Sequence, residues 1–220
     1  MTFLWILIII VIFTFALDYG IEHIYAYDSP PHRRTPEKFG VPFEDVEIPA
    51  ADGGSLYGWW MPSLPDAPTL ILVHGWSRNI ERMMVYIRKL HPLGYNLLAF
   101  DARNHGSSSS IKHPTVGTFT EDVLAALDYI SASGKVFSQN IGLVGLSIGG
   151  GASIAAAGQD ERVRAVVTVG AMSHPIKVMR EQFEEKRIPQ FVGTLLFGYM
   201  RLRHGLDFDK IAPENHIANT

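Results

Sequence analysis

The sequence predicts an α/β fold, a mostly parallel central sheet with helices on both faces. Three observations carry this. Four short runs are almost continuously apolar: Thr69 to Val73, Asn96 to Phe100, Ile141 to Leu146 and Val163 to Val169. Such strands are buried on both faces, which is the habit of parallel sheets. The segments between them carry helical periodicity, so strand and helix alternate. Finally, a strand runs through a Gly-rich turn directly into a helix of small residues, Ile148 to Ala157.

The first element belongs to a different solvent. Phe3 to Leu17 is apolar throughout apart from Thr14, and Asp18 ends the run. Met1, Thr2, Tyr19 and Gly20 extend it to the lower limit for a spanning helix, about 17 to 20 residues. In lipid the backbone must satisfy its own hydrogen bonds, so the Ile/Val content does not oppose a helix. A cleaved signal peptide is the competing reading, but no Lys or Arg precedes the run and no small-x-small site follows it. A buried soluble helix is a third, and this run has no polar face. Residues 1–20 are therefore expected to be a single-pass transmembrane anchor. The first basic residues, Arg33, Arg34 and Lys38, all follow it. This tilts the expectation towards a catalytic domain on the cytoplasmic side.

Residues 21–40 read as a linker, with Ser29-Pro30-Pro31, Arg33-Arg34 and Pro36 resisting regular structure. The globular domain, 41–220, opens with Phe43 to Ile48 and Ser55 to Met61 around Asp52-Gly53-Gly54, a β-hairpin signal. After the strand Thr69 to Val73, a stripe of Ile80, Met83, Met84, Ile87 and Leu90 predicts a helix over Asn79 to Leu93, ended by Gly94. After Asn96 to Phe100, a helix is expected over Thr118 to Ile130, with Glu121 and Asp122 in its first turn. Beyond Gly170 the alternation stops. Residues 176–203 read as helical, charged over Arg180 to Arg187 and apolar over Phe191 to Met200.

Composition narrows the function classes. The chain has 220 residues, 47% hydrophobic, with a formal net charge of -3. That supports one sizeable core and no basic surface for nucleic acid. There are 0 cysteines, so thiolate metal sites and Cys nucleophiles are excluded. The 9 histidines form no His-x-x-x-His pair on a predicted helix, and neither a metal nor a cofactor is expected.

The chemistry-bearing motif is Gly145-Leu146-Ser147-Ile148-Gly149. Alone, Gly-x-Ser-x-Gly is a weak signal. Here it follows a buried strand and opens a helix, which is the setting a nucleophile elbow requires. The serine sits in a strained turn, and side chains at Gly145 and Gly149 would collide with it. A second piece, His74-Gly75-Trp76, closes an earlier strand and brings a backbone N–H near the elbow. Acyl transfer needs two donors aimed at the developing oxyanion, and the N–H groups of Trp76 and Ile148 are the candidates. The His74 side chain is read as shaping its loop. A third piece is Asp101-Ala102-Arg103-Asn104-His105-Gly106-Ser107.

These three motifs, in this order and spacing, resemble the α/β-hydrolase family. The branch they most resemble holds serine-aminopeptidase-like, lysophospholipase-like and monoglyceride-lipase-like members. The middle motif there is Asp-x-Arg-Gly-His-Gly-x-Ser; this chain has Asn104 in place of the Gly and its serine one place early. The resemblance covers about residues 41–220. It implies a Ser-His-Asp hydrolase with Ser147 as nucleophile, no cofactor, and Asp101 and His105 as loop residues rather than triad members.

The triad order in this fold is Ser, then acid, then His. His174, His204 and His216 follow Ser147, but none ends a recognisable buried strand. Asp160 and Glu161 fall in the helix–strand loop at the wrong end of the sheet. The tail from Gly205 to Pro213 resembles what precedes a further strand in the family. Two more strands, the acid and the base are therefore expected beyond Thr220, with His216 as base the alternative. Residues 176–203 are expected to form a lid, or else ordinary core.

The expected function is a serine hydrolase cleaving carboxylic esters, with lipid-like acyl groups suited to an apolar lid, through an acyl-enzyme on Ser147. Two alternatives stay open: a catalytically incomplete membrane-tethered scaffold, and an acyltransferase on the same elbow. Expected partners are a small-molecule or lipid ester and the membrane.

Overall fold

The computed structural model describes residues 2–25, 30–135 and 140–219. Six strands form one sheet: β1 (Glu44–Pro49), β2 (Ser55–Met61), β3 (Thr69–Val73), β4 (Asn96–Phe100), β5 (Ile141–Leu146) and β6 (Val163–Val169). Their order is β1-β2-β4-β3-β5-β6. The β1–β2 hairpin joins β4 antiparallel, while β4, β3, β5 and β6 run parallel. The expected α/β fold with a mostly parallel sheet is what forms.

The alternation of side chains along the strands divides the core in two. Ile71, Val73, Leu98 and Phe100 face one layer, with Phe119, Val123, Leu127, Ala152 and Ala156. Leu72, Leu97 and Ala99 face the other, with Ile80, Met83 and Ile87. Helices α3 (Val116–Ala132) and α4 (Ile148–Ala157) thus cover one side and α2 (Met84–Leu90) the other. The β4 and β5 neighbours of β3 lie on opposite sides of it, so the chain reverses its winding direction there. Such switch points open a crevice at the carboxyl ends of the strands.

Several elements depart from the sequence expectation. The helix expected over Asn79 to Leu93 is three pieces: a 3-10 turn Ile80–Met83, α2, and a 3-10 turn His91–Leu93 containing Pro92. Helix α3 begins at Val116 because Thr115 and Thr118 form a reciprocal capping box. Glu121 and Asp122 are therefore past its first turn, and they serve a different purpose. Arg103, buried at the end of β4, pairs with Asp122 (Nε–Oδ1 2.6 Å), Glu121 (2.6 Å) and Asp52 (3.1 Å). One guanidinium thereby ties the β4 loop to α3 and to the hairpin turn.

Residues 176–203 form two helices, α5 (Pro175–Glu185) and α6 (Gln190–His204). The break falls where Arg187 takes φ 56° and Pro189 cannot continue a helix. Beyond α6 the chain folds back on α4, with the Glu214 N–H donating to the Ser173 carbonyl (3.1 Å).

The N-terminal helix α1 spans Thr2–Tyr25, past the boundary expected at residue 20. From Leu4 to Glu22 it is long and apolar enough to cross a membrane. The segment expected to be a linker is thus helical at its start; Ser29 lies outside the described residues. Residues 30–34 are fastened to the body. Asn79 Nδ2 donates to the Pro30 carbonyl (2.8 Å), His32 meets Asp101 (2.8 Å) and Arg34 pairs with Glu81 (2.6 Å). Among the described residues β6 is the far strand of the sheet, and Val167 and Val169 on it are exposed.

Candidate active site

Strand β5 ends at Leu146 and α4 begins at Ile148, so the single residue between them turns the chain. Ser147 has φ 52° and ψ -119°, a conformation that costs a side-chain-bearing residue about 1–3 kcal/mol. Its backbone is held on three sides. The N–H donates to the Val169 carbonyl (3.0 Å), and the carbonyl accepts from Gly151 (3.1 Å) and Met172 (3.2 Å). The surrounding structure over-determines the turn and leaves Ser147 exposed at its apex.

The two motif glycines have a contact reason rather than a conformational one. A β-carbon on Gly145 would lie 2.6 Å from the Gly150 α-carbon and 2.6 Å from Ser153 Oγ. One on Gly149 would lie 2.7 Å from the Val73 carbonyl oxygen and closer still to that of His74. Both distances are inside any real carbon contact. The elbow is built by pressing α4 onto the ends of β3 and β5.

The same approach brings the β3 loop to the serine. Gly75 sits so that a β-carbon there would touch Ser147 Cβ at 3.4 Å. Trp76, Ser147 and Ile148 share the wall of one cavity of about 290 Å³. The structure thus brings together the three residues that the sequence singled out for nucleophile and oxyanion donors. Val178 and Met179 of α5, with Phe208 and Ile211 after α6, supply an apolar wall. The sequence pattern gave no sign of Pro114, Thr115, Phe208 or Ile211 at this site, because they reach it through loops.

The histidines around the crevice are neutral supports. His74 is fully buried: Nε2 accepts from the Ala102 N–H (3.0 Å), which leaves Nδ1–H to donate to the Gly75 carbonyl (2.8 Å). Burial pushes its pKa down. His105 repeats the arrangement, accepting from the Ser77 N–H (3.3 Å) and donating to the Arg103 carbonyl (2.9 Å). Burial, with the neighbouring His74, pushes it down to about 4. Each ring therefore fixes a loop rather than holding an exchangeable proton.

Asp101 is a buried acceptor hub. Its carboxylate takes the N–H of Ile80 (2.6 Å), the N–H of Ser107 (2.8 Å) and His32 Nε2 (2.8 Å). The hydrogen bond to Asp101 raises the His32 pKa against the opposing effect of burial. The loop passes so tightly round the carboxylate that a β-carbon on Gly106 would overlap it. Asn104 has φ 66°. Asn tolerates the left-handed region better than most residues. This accounts for Asn standing where the related motif has Gly.

Downstream of Ser147 the three histidines face groups other than the serine. His174 caps α5, accepting from Ile176 N–H (3.1 Å) and facing Asp209 (3.3 Å). His204 lies 3.5 Å from Asp18 of α1. His216 donates to the Lys210 carbonyl (3.0 Å) and backs onto Gly158, at the end of α4 opposite Ser147. Asp160 pairs with Arg162 (2.5 Å) and, with Glu161, borders an open hollow at that same far end. Among the described residues no cluster could hold a metal ion.

Residues 68–201 match the family described as alpha/beta hydrolase fold, and the chain belongs to it. Among relatives, it is 30% identical over 161 residues to the protein YfhR of Salmonella typhimurium, covering 70% of this chain and 53% of YfhR. It is 26% identical over 157 residues to a thiohydrolase, AneE, of Aspergillus aculeatus, covering 70% of this chain and 48% of AneE. Among solved structures, the esterase Pf2001 of Pyrococcus furiosus superimposes with a TM-score of 0.64 at 26% identity, covering 87% of this chain and 68% of that one. The chain spans about half the length of these curated relatives.

Proposed function

We propose that this chain carries the nucleophile half of a membrane-held serine hydrolase acting on apolar carboxylic esters. The observation that carries the proposal is the convergence of Ser147, Trp76 and Ile148 on one apolar-walled cavity, with Ser147 in a strained, over-determined turn. Ser147 Oγ attacks the acyl carbon. The oxygen becomes an alkoxide facing the N–H groups of Trp76 and Ile148, and its collapse expels the alcohol and leaves an acyl-enzyme. Helix α4 starts at Ile148, so the positive end of its dipole adds to the stabilisation. His174 faces Asp209, His204 faces Asp18 and His216 donates to the Lys210 carbonyl. The reading therefore assigns the base that deprotonates Ser147, and its orienting acid, to polypeptide outside these 220 residues. The relatives include a thiohydrolase and an esterase, which supports acyl transfer to water.

The reading also takes α1 as a retained anchor with the catalytic domain on the cytoplasmic side. Tyr199 Oη donates to Asp18 (2.6 Å), and Ile21 is 2% exposed among Phe197, Met200 and Phe208. These contacts support a helix kept with the protein rather than removed. Arg33, Arg34 and Lys38 follow it, in keeping with that orientation.

Fluorophosphonate labelling of the protein in its native membranes tests the nucleophile. Labelling is expected on Ser147 and lost to background in Ser147→Ala. A folded wild-type protein that takes up no label would overturn this reading. It would favour a membrane-tethered scaffold.

A further inference from the structure

Helix α6 is apolar on two opposite faces. Gly193, Phe197 and Met200 point into the protein and are buried. On the other side Phe191, Leu195 and Leu202 are 66%, 68% and 90% exposed. The spacing of four and then seven residues puts these three on one stripe. A surface helix of a globular domain needs only the inward stripe; the outward one has no partner within the described residues.

What lies beside the stripe identifies its occupant. Tyr199, one turn before Arg203, reaches both the Thr14 carbonyl (3.4 Å) and the Asp18 carboxylate (2.6 Å) of α1. Arg203 approaches the same carboxylate at 3.5 Å. Asp18 is the residue at which the apolar run of α1 ends. The last turns of α6 are therefore fixed at the level where α1 would leave the hydrocarbon. A tyrosine at that level is the residue type favoured at a membrane–water boundary. Arg201 and Arg203 flank Leu202 and are exposed, placed to reach lipid phosphates while their stems follow the apolar surface.

We infer that the outer stripe of α6 is bedded in the lipid surface from which α1 emerges, so that the cavity at Ser147 lies one helix pair away from the bilayer. This rests on reading α1 as a spanning anchor. Helix α6 backs onto α5 through the stacked rings of Phe183 and Phe197 (6.3 Å), and α5 supplies Val178 and Met179 to the cavity wall. One helix pair therefore separates lipid from the nucleophile, and the substrate class it suits is an ester with a membrane-dissolved acyl chain.

The absence of native cysteine makes single-site spin labelling of the full chain direct. Labels are placed through Leu195→Cys and Leu202→Cys on the stripe. Ile9→Cys in α1 serves as lipid reference and Leu93→Cys, exposed on the body, as water reference. The protein is reconstituted in phosphatidylcholine–phosphatidylglycerol vesicles, and collision with oxygen is compared with collision with a water-soluble nickel chelate. The oxygen-to-nickel ratio is expected to be several-fold higher at 195 and 202 than at 93, approaching that at 9. Ratios at 195 and 202 equal to that at 93, with 9 in lipid, would overturn this inference and leave the anchor standing. Shielding of 195 from both reagents would mean a second protein surface covers the stripe, and would also overturn it. A water-like ratio at 9 would remove the anchor and this inference with it.

Discussion

Gly149 lies directly against the carbonyl oxygen of His74, leaving no space for a side chain between α4 and the end of β3. The oxyanion loop and the elbow are in this sense one unit. Gly149→Ala is expected to cost about 1–3 kcal/mol as an overpacked contact. Because that contact aligns Trp76 with Ile148, it should also abolish fluorophosphonate labelling. Gly198→Ala on α6 meets no atom within 4 Å and is expected to be neutral or slightly stabilising. Comparing pulse proteolysis and labelling of both variants checks this. Normal labelling of Gly149→Ala would show that the loop and the elbow are not coupled.

Arg103 is expected to matter for stability through charge rather than bulk. Its side chain is nearly fully buried, and Asp122 beneath it is 1% exposed. Arg103→Met should destabilise by about 3–5 kcal/mol, because it leaves a carboxylate buried without its partner. Adding Asp122→Leu should recover a large part of the loss. Urea unfolding of the single and double variants reads both. A double variant as unstable as the single would attribute the effect to packing.

His105 sets an acid limit on the fold. Its usual pKa of 6.5 falls to about 4 in the folded protein. The folded state thus favours the neutral ring, and this group's contribution is complete above the unfolded value. It is lost as the pH falls from 6.5 towards 4, by about 3 kcal/mol in all. Thermal midpoints at pH 7.5 and 4.5 should therefore converge in His105→Gln relative to wild type. An unchanged difference would place the acid sensitivity elsewhere.

His32 works in the opposite direction. Its pKa is raised by Asp101, so the hold of residues 30–34 on the body is complete below the unfolded value and is lost as the pH rises through the folded one. Amide exchange at Arg33 and Arg34, corrected for the intrinsic rate, should accelerate at high pH in wild type and be fast at all pH in His32→Ala. Protection that does not change with pH would assign the hold to Asn79 and Glu81, which bind Pro30, Arg33 and Arg34.

The strands and the elbow were legible in the sequence because each is a local pattern. An unbroken apolar run such as Leu143-Val144 needs burial on two faces, and Gly-x-Ser-x-Gly after such a run has one geometric solution. The start of α3 was not legible, since Thr118 closes the capping box where Glu or Gln usually marks one. Nor were the assignments of Asp122 to Arg103 and of His32 to Asp101, which join residues 19 and 69 positions apart. Hydrogen-bond partners at that separation are set by how the layers stack. The same holds for Phe208 and Ile211, which enter the cavity only because the chain after α6 folds back over α4.

The outermost strand carries a practical consequence. Along β6 the hydrogen-bonding groups on the side away from β5 face outward, with the bare valines at 167 and 169 beside them. Such an edge is a template: it accepts any extended chain that presents a complementary row of amides, whether or not that chain belongs there. Whatever is laid along that strand, a neighbouring strand of the same sheet or a stranger, is held by the same row of amides, and the core behind it has no say in which of them arrives first.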